Sequence, residues 1–374
     1  MKIGLVCPYD INKGGGVQEC IRALQSGLTD LGHDVKIITP RLRGTNNSHK
    51  DIIYLGTSTD FRAPTHTTSQ ISASGDGSDI DTMLEREKFD ILHFHEPWIP
   101  ILSRQILSRS SCPNVATFHA KLPETMMSRT FAKVVAPYTK SVLKYLDSFT
   151  AVSEAAMEYL RTLTDEPVSI VPNGIDLKNF HAPRKRENRK VKTILYVGRL
   201  EKRKGLMYLL KAFALLLEKD PKIRLIIAGD GVDRQKLKDL ADELGIADHV
   251  QFLGYITEAK KKQLLRNSDL FCSPAIYGES FGIVLLEAMA TGLVTVAGNN
   301  PGYASVLQGL GSISLVNTRQ VDEFAHRLNL LLKERDLQKL WRTWAQESVK
   351  QYDYPNVVKQ YEAVYKATIA NYDR

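Results

Sequence analysis

Short apolar runs alternate with amphipathic stretches of helical length along the whole chain, and no other feature of the sequence limits the fold so strongly. The runs recur about every 20 to 30 residues, which is the length of one βα unit. Such alternation is typical of parallel βαβ units, and 374 residues are enough for about two domains. The sequence therefore predicts an α/β fold of two Rossmann-like domains. Strands are predicted at 2–7, 35–39, 91–94, 115–118, 150–152 and 169–171, with helices such as 17–31 and 131–146 between them, and again at 193–197, 224–228, 250–253, 270–273 and 294–297.

The run Pro183-Arg-Lys-Arg-Glu-Asn-Arg-Lys190 contains almost no apolar residue, which places the domain boundary there. We expect an N-terminal domain at 1–182 and a C-terminal domain at 183–350. The final helix, predicted at 355–371, is amphipathic, and its pattern would allow it to pack on either domain. The stretch 56–81 is rich in Ser, Thr, Gly and Asp, so we expect a flexible loop over the ligand cleft there.

The charge of the chain is unevenly distributed. Residues 1–182 hold 19 Lys and Arg against 20 Asp and Glu, whereas residues 183–374 hold 31 against 22. No basic stripe with interleaved aromatic residues accompanies this excess. The pattern favours a confined anionic small molecule over a nucleic acid as the ligand of the second half.

The spacing of the cysteines and the length of the apolar segments argue against a disulfide-rich protein, a zinc protein and a membrane-spanning protein. The four cysteines show no spacing suited to a disulfide framework or a zinc site, which is typical of a reducing cytosol. Every long apolar stretch is interrupted by a charge, and the run from Ile3 to Cys7 is too short for the core of a signal peptide. The sequence thus predicts a cytoplasmic protein without a metal site.

Three glycines, Gly14 to Gly16, follow the first predicted strand and open the first predicted helix. They would let a phosphate or a sugar approach the backbone, where the N–H groups of a helix N-terminus favour negative charge. A simple tight turn would explain them equally well. Glu19 stands where a dinucleotide fingerprint has its third glycine, and Thr39-Pro40-Arg41 lacks the acid that binds ribose, so a nicotinamide dinucleotide is disfavoured.

A basic turn from Gly198 to Gly205 follows the first strand of the second half. Arg199 offers a planar fork to a phosphate and Lys204 a mobile ammonium, and both would neutralise the charge of a departing diphosphate. Basic side chains in turns are usually solvated. The end of a parallel strand is, however, where open α/β sheets bind their ligands, which favours a functional role for this turn.

Two glutamates, Glu279 and Glu287, bracket the predicted start of a helix at Gly282. The first amides of such a helix can hold phosphate oxygens. The two carboxylates can accept hydrogen bonds from the sugar hydroxyls at one end of a nucleotide-sugar and from the ribose hydroxyls at the other. The alternative makes Glu279 a partner of the helix dipole and Glu287 the acid of a buried salt bridge.

Histidines lie at the ends of two predicted strands of the first half, at His93, His95 and His119. Strand ends face the ligand crevice in open α/β sheets, so His119 is a candidate for substrate contact, although a lone histidine there is more often structural. His93 and His95 are expected on opposite faces of their strand, which argues against a metal site.

In four elements taken in order, the chain resembles the retaining family 4 glycosyltransferases of the GT-B fold: the loop 14–16, Pro172-Asn173-Gly174-Ile175-Asp176, Gly198-Arg199 with Lys204, and the E-x7-E element from Glu279 to Glu287. The resemblance covers nearly the whole chain. It implies two Rossmann-like domains facing each other across a deep cleft, with segment 351–374 packing back on the first. Five segments are most similar to the phosphatidylinositol mannosyltransferases of actinobacteria: Gly4–Tyr9, Gly15–Gln18, His95–Pro97, Ala116–His119 and Gly278–Val284.

The resemblance implies a role for each matching residue. The acceptor would be met by Tyr9 and Gln18, and no metal would be required. Catalysis would involve His119, Arg199, Lys204 and Glu279. The donor would be bound by Gly15, Gly16, Arg199, Lys204, Gly254, Tyr255, Ile256, Glu279, Phe281, Gly282, Ile283 and Glu287, with backbone groups at 254–256 meeting the base.

The activity implied is transfer of a hexose, mannose from GDP-mannose in the first instance, to an alcohol such as phosphatidylinositol or a related lipid, with the anomeric configuration retained. The alternatives are a UDP-sugar enzyme acting on another lipid or a soluble acceptor, and a catalytically silent nucleotide-sugar-binding protein. No cofactor beyond the nucleotide-sugar and no nucleic-acid partner is implied.

One departure bears on the membrane. The inositol-lipid enzymes carry a basic amphipathic helix in the region before His95, whereas this sequence has the polar, acidic stretch 65–79. The segment 126–133 is a partial substitute that could touch a membrane, but it is more simply interpreted as a helix lining the cleft. We therefore expect only weak peripheral contact with the inner face of the cell membrane.

Overall fold

The computed structural model describes residues 1–45, 48–62, 68–73, 76–120, 136–180 and 191–372. The chain forms two compact units, one made of Met1–Gly174 with Tyr354–Arg374 and the other of Ile175–Asp353. The expected boundary between 182 and 183 and the polar run 183–190 lie outside the described residues, as does the segment 126–133.

The described part of the first unit contains one sheet in the order β4-β3-β2-β1-β5-β6-β7-β8. Neighbouring strands are parallel except for β4, which is antiparallel to β3. The elements are β1 (Lys2–Val6), α1 (Gly16–Asp30), β2 (Asp34–Leu42), β3 (Ile52–Arg62), β4 (Thr68–Ala73), α2 (Gly77–Glu87), β5 (Ile91–His95), α3 (Leu102–Leu107), β6 (Asn114–Phe118), α4 (136–143 in its described part), β7 (Ser148–Ala151), α5 (Glu154–Leu160), β8 (Val168–Ile170) and the last helix of the chain, α13 (Tyr354–Ala370).

The core of the first unit lies between this sheet and its helices. Strands β1, β5 and β6 are buried along nearly their whole length, which explains why their sequences are continuous apolar runs. Helix α1 buries Ile21, Leu24 and Leu28, which are spaced along one helical face. Helix α13 packs on α1 so closely that a Cβ on Gly27 would lie 2.5 Å from a methyl group of Val358. The C-terminal segment thus completes the core of the first unit.

The stretch 56–81, expected to be a flexible loop, contains regular structure instead. Strand β3 continues to Arg62 and pairs with β4, and α2 begins after Asp76, whose side chain accepts the N–H of Ser78 at 3.1 Å. The prediction was wrong because small polar and β-branched residues form strands when a neighbouring strand supplies hydrogen-bond partners. Composition alone does not reveal that neighbour.

The described part of the second unit contains a parallel sheet in the order β11-β10-β9-β12-β13-β14. Its longer elements are β9 (Lys192–Val197), α6 (Leu206–Lys219), β10 (Ile223–Ala228), α7 (Arg234–Glu243), β11 (Val250–Gly254), α8 (Glu258–Asn267), β12 (Leu270–Ser273), α9 (Ile283–Ala290), β13 (Thr295–Gly298), α10 (Pro301–Val306), β14 (Leu315–Val316), α11 (Val321–Lys333) and α12 (Arg335–Ser348).

Each strand predicted from the sequence overlaps a strand of the structure, and the two mainly parallel sheets confirm the α/β class. Strands β3, β4 and β14 were not predicted. The predicted helix 131–146 is partly outside the described residues, and its described part is helical at 136–143. Within the described ranges, no helix combines the length and the apolar character needed to cross a membrane.

Candidate active site

The predicted donor residues of the second unit follow three strands of its sheet. The basic turn follows β9, the backbone segment 254–256 begins at the last residue of β11, and Glu279 lies beyond β12. The strands are parallel, so their carboxyl ends meet at one edge of the sheet, where open α/β sheets bind ligands. The sheet order therefore brings these sequence segments to the same edge.

Glu279 is the centre of an ion-pair cluster. Its Oε1 lies 2.8 Å from Lys204 Nζ and 2.5 Å from Arg203 Nη1. The guanidinium of Arg203 also donates to Glu201 Oε2 at 3.0 Å and to the carbonyl of Gly278 at 3.2 Å. The side chains of Lys204 and Glu279 are only 15% and 11% exposed, so the pair lies largely out of water.

The charges in this cluster shift one another's pKa. Burial would raise the pKa of Glu279, but the cations of Lys204 and Arg203 hold it below its usual value. Burial lowers the pKa of Lys204, and the neighbouring Arg203 adds to that shift while Glu279 opposes it. Three cations, Arg199, Arg203 and Lys204, therefore face the two carboxylates of Glu201 and Glu279, and an additional anion would be electrostatically favourable beside them.

Arg199 is placed differently from Lys204. Its side chain is 51% exposed, and its Nη1 lies 3.0 Å from Glu201 Oε1. Glu201 thereby joins Arg199 to Arg203. Sequence reasoning missed Arg203 and Glu201, because a turn containing four basic residues gives no sign of which of them will face Glu279. The signal available in the sequence was the spacing of Glu201 and Arg203, two residues apart in one turn, which allows an ion pair between them.

The turn before α9 requires glycine at Gly282. Its φ of 106° is in the left-handed region, and a Cβ there would lie 2.7 Å from the ring of Tyr303. Helix α9 then begins at Ile283 with no side chain capping its N-terminus. The side chain of Phe281 is buried edge-on against Tyr352, with ring centroids 5.6 Å apart, so its backbone is the part available to a ligand.

Glu287 lies inside α9 and is nearly buried. Its Oε1 lies 2.6 Å from Nζ of Lys261 on α8, and this carboxylate helps to raise the pKa of that lysine against the opposing effect of burial. Sequence analysis missed Lys261 because it is the middle member of three consecutive lysines. The contact agrees with the salt-bridge alternative, and a carboxylate also has lone pairs left for ribose hydroxyls.

The segment expected to meet the base begins at the last residue of β11. Gly254 accepts a hydrogen bond from the N–H of Gly229 at 2.7 Å, and its φ is 72°. The side chain of Tyr255 is 87% exposed, and Ile256 is half-buried.

In the first unit, the predicted glycine loop opens α1. Gly15 precedes the helix, and its carbonyl accepts the N–H of Glu19 at 2.9 Å, while Gly16 is the exposed first residue. The buried side chain of Gln18 folds back so that a Cβ on Gly15 would lie 2.5 Å from its Oε1. Nearby in sequence, burial raises the pKa of Tyr9 well above its usual value, and Glu96 adds to the effect.

The structure places His93, His95 and His119 side by side. The ring centroids of His93 and His95 are 4.1 Å apart, and His95 Nδ1 lies 2.8 Å from His119 Nε2. The expectation that His93 and His95 face opposite sides of their strand was wrong, because side chains two residues apart in a strand share a face. Among the residues that the structure describes, no group of three His, Cys, Asp or Glu could hold a metal ion.

Two family models match the chain, Glycosyltransferase Family 4 over residues 14–179 and Glycosyl transferases group 1 over residues 178–348. The phosphatidyl-myo-inositol mannosyltransferase of Mycolicibacterium smegmatis is 32% identical over 98% of this chain and 94% of its own length. Sucrose-phosphate synthase from Thermosynechococcus elongatus has a TM-score of 0.79 at 19% identity, covering 99% of this chain and 100% of that chain. Anabaena HepE, solved with UDP and glucose, has a TM-score of 0.76 at 17% identity, covering 98% and 100%.

Two Rossmann-like units that match solved glycosyltransferases along nearly their whole length define the GT-B fold, and the chain is a glycosyltransferase. It belongs to the family 4 glycosyltransferases, and it is similar along nearly its whole length to the phosphatidyl-myo-inositol mannosyltransferase of M. smegmatis. The family indicated by the sequence motifs is thereby confirmed.

Proposed function

We propose that the chain is a retaining mannosyltransferase that transfers mannose from GDP-mannose to a hydroxyl group of an inositol lipid or a related alcohol. The observation that carries this proposal is the cluster in which Lys204 and Arg203 share the carboxylate of Glu279 close in sequence to the N-terminus of α9. The name of the M. smegmatis relative supports mannose as the sugar and an inositol lipid as the acceptor.

The cluster suits departure of a nucleoside diphosphate. Arg199 and Lys204 supply positive charge, and the first N–H groups of α9 supply oriented dipoles, so charge that develops on the leaving oxygen is stabilised. Glu279 is held by two cations, which makes it a weak nucleophile and a good acceptor for sugar hydroxyls. We therefore propose front-face substitution, in which the leaving diphosphate takes the proton of the attacking alcohol and the configuration is retained.

The remaining roles follow the family pattern and are part of the proposal. Glu287 binds the ribose, the backbone at 254–256 meets the base, and the amides of 281–283 with Gly15 and Gly16 approach the donor. In the first unit, His119 contacts the transferred sugar. Tyr9 and Gln18 contact the acceptor.

We also propose that the protein works in the cytoplasm, in weak contact with the inner face of the membrane where an inositol lipid would lie. The first half of the chain has nearly balanced charge, so electrostatic attraction to anionic lipid is small on that side. Activity on lipid in vesicles should accordingly depend little on the content of anionic lipid.

A UDP-sugar donor is the second candidate. HepE was solved with UDP, and backbone groups at 254–256 would not by themselves distinguish guanine from uracil. A donor screen separates the two candidates. GDP-mannose, UDP-glucose and UDP-N-acetylglucosamine are each incubated with phosphatidylinositol vesicles, and the anomeric configuration of any product is read by NMR.

Transfer of α-mannose from GDP-mannose alone would establish the proposal. Transfer from a UDP-sugar alone would favour the second candidate, and a β-linked product would contradict retention. Thermal unfolding with GDP, UDP, ADP and NAD provides an independent test. A ligand present at 100 times its Kd stabilises the folded state by about 2.7 kcal/mol.

A further inference from the structure

The carboxylate of Glu96 holds the backbone that follows the neighbouring strand β6. Its Oε1 accepts the N–H groups of His119 and Ala120, each at 2.6 Å, and its Oε2 accepts the indole N–H of Trp98. Glu96 is only 1% exposed. Three N–H groups donate to the two oxygens of this carboxyl group, so Glu96 fixes where the backbone of His119 lies.

The ring of His119 is held by the residue next to Glu96. His95 Nδ1 lies 2.8 Å from His119 Nε2, and the two rings are stacked with centroids 5.1 Å apart. One of these nitrogens must donate and the other accept, so the contact couples the tautomers of the two rings and restrains the direction of the His119 ring. Both the backbone and the side chain of His119 are therefore restrained by consecutive residues of one strand end.

The backbone of Glu96 adopts a conformation that glutamate rarely takes. Its φ is 49°, in the left-handed region, while its N–H still donates to Thr117 of β6 at 2.9 Å. Conformations of this kind persist where the surroundings determine them, and they are concentrated at functional sites. Here the conformation accompanies the turn of the carboxylate toward 119–120.

His93 packs against His95 and is itself held by two hydrogen bonds. His93 Nδ1 lies 2.7 Å from the hydroxyl of Tyr365 on α13, and its Nε2 lies 2.6 Å from Thr117 Oγ1. Its ring is 4.1 Å from that of His95. His95 therefore lies against a ring that is itself hydrogen-bonded on both nitrogens, which leaves it little freedom to rotate.

We propose that Glu96 and His95 are positioning residues, which orient His119 toward the sugar that is transferred. The inference rests on the proposed function, in which His119 contacts that sugar. Neither positioning residue needs to touch the substrate. Their effect is on the geometry of His119, and misplacement of a contact by about 1 Å can lower turnover about 100-fold.

The test compares Glu96→Gln with Glu85→Gln, a matched control on α2 where the side chain is exposed. Glu96→Gln keeps the size of the side chain but removes its charge, and we expect kcat to fall about 10-fold to 100-fold while the KM for the donor changes less than about threefold. Glu85→Gln should leave both unchanged. His119→Ala and the double variant Glu96→Gln/His119→Ala are measured in parallel.

The possible outcomes distinguish positioning by Glu96 from the proposed role of His119 in sugar transfer. If His119→Ala lowers kcat and Glu96→Gln adds nothing to it, the two residues act together and the inference holds. If His119→Ala lowers kcat but Glu96→Gln behaves like the control, positioning by Glu96 is refuted while the role of His119 stands. If His119→Ala has no effect on kcat, the proposed role of His119 is refuted, and the positioning inference that depends on it is refuted as well.

A milder variant covers the case in which Glu96→Gln does not fold. Trp98→Phe keeps a smaller aromatic ring and removes the indole N–H that donates to Glu96 Oε2. In protein with ¹⁵N-labelled histidine, it should shift the amide signal of His119 and lower kcat several-fold. Unchanged amide and ring signals for His119 in this folded variant, with unchanged kcat, would overturn the inference.

Discussion

At the scale of single residues, the second unit groups several charged side chains around two largely buried glutamates. Lys204 and Arg203 share Glu279, and Lys261 contacts both Glu258 and Glu287. Groups of this kind are costly to bury unless every charge has a partner. The first group, in which Arg199, Arg203 and Lys204 face Glu201 and Glu279, is a stronger indication of an anionic ligand than the net charge of +8.

Lys204→Ala should lower kcat about 100-fold or more, because one of the charges proposed to stabilise the departing diphosphate is lost. The KM for the donor should change much less, since the loss is greatest in the transition state. Steady-state kinetics check this result. Lys202→Ala is the control, because Lys202 is exposed in the same turn. Equal kcat values for the two variants would remove Lys204 from the mechanism.

Lys261→Met should destabilise the second unit by about 3 kcal/mol, because it leaves the carboxylate of Glu287 buried beside an apolar side chain. Urea unfolding measures the loss. The double variant Lys261→Met/Glu287→Gln should recover part of it, since the buried carboxylate that lost its partner is then also removed. Lys260→Met, at the exposed neighbouring position, should change stability by less than about 0.5 kcal/mol. Additive losses in the double variant would contradict the pairing.

At the scale of elements, the start of α9 depends on one backbone conformation. Gly282 has φ at 106°, and the ring of Tyr303 fills the space where a side chain would begin. The hydroxyl of that tyrosine is in turn 2.7 Å from Ser273 Oγ at the end of β12. The N-terminus of α9 is thus fixed to the sheet edge on which the candidate site lies.

Gly282→Ala should destabilise the protein by about 2 kcal/mol or more and weaken donor binding, because it adds both an unfavourable φ and a steric overlap. Gly309→Ala separates the two effects, since Gly309 also has a positive φ but open space around it. That control should lose about 1 kcal/mol and keep its donor affinity. Thermal unfolding and nucleotide titration provide both values. A Gly282→Ala variant with the stability and affinity of the control would show that the overlap is relieved without cost.

The other element-scale lesson concerns α13, whose tyrosines reach the polar layer of the first unit. Tyr365 bonds to His93, and Tyr361 lies 3.3 Å from Thr117 Oγ1. Amphipathic spacing predicted that this helix has one buried face. It did not indicate which unit the helix covers, because the pattern is the same for any apolar partner surface.

At the scale of the whole molecule, the buried histidines make stability depend on pH. Burial lowers the pKa of His93 to about 3 and that of His119 to about 4, from an ordinary value of 6.5. Below pH 6.5 these histidines are protonated in the unfolded chain but remain neutral in the folded chain. They therefore reduce the stability of the folded state as the pH falls. Glu96 acts in the opposite direction. Burial raises its pKa to about 7, so the folded protein gains stability from it as the pH falls from 7 toward 4.5.

When the pH falls from 6.5 to 5, the free energy of unfolding of His93→Gln should therefore decrease by about 1.5 kcal/mol less than that of the parent protein. The reason is that a histidine protonated only in the unfolded state has been removed. Urea unfolding at several pH values measures the two slopes. His326→Gln, at an exposed position on α11, should keep the slope of the parent protein. Parallel stability curves for His93→Gln and the parent would show that His93 is not the group responsible.

The extent of agreement between sequence and structure follows from the range of each interaction. Strand positions and the helix start at Gly282 were predictable because hydrophobic runs and glycine turns are local. The hairpin of β3 and β4 was missed because its stability comes from a strand pairing. The shared face of His93 and His95 was misjudged, although the two-residue period of a strand is itself a local rule.

The sequence by itself determined the α/β class, the two Rossmann-like repeats, the glycosyltransferase family and the segments that carry the candidate site. Those properties follow from hydrophobic periodicity and short motifs, which are local features and do not depend on contacts between distant segments. Tertiary structure alone decided that Arg203 joins Lys204 on Glu279, that Lys261 faces Glu287, and that Glu96 holds His119. Each of these contacts joins groups from different turns or elements, and they come within bonding distance only when the parallel sheet places those turns and helices side by side.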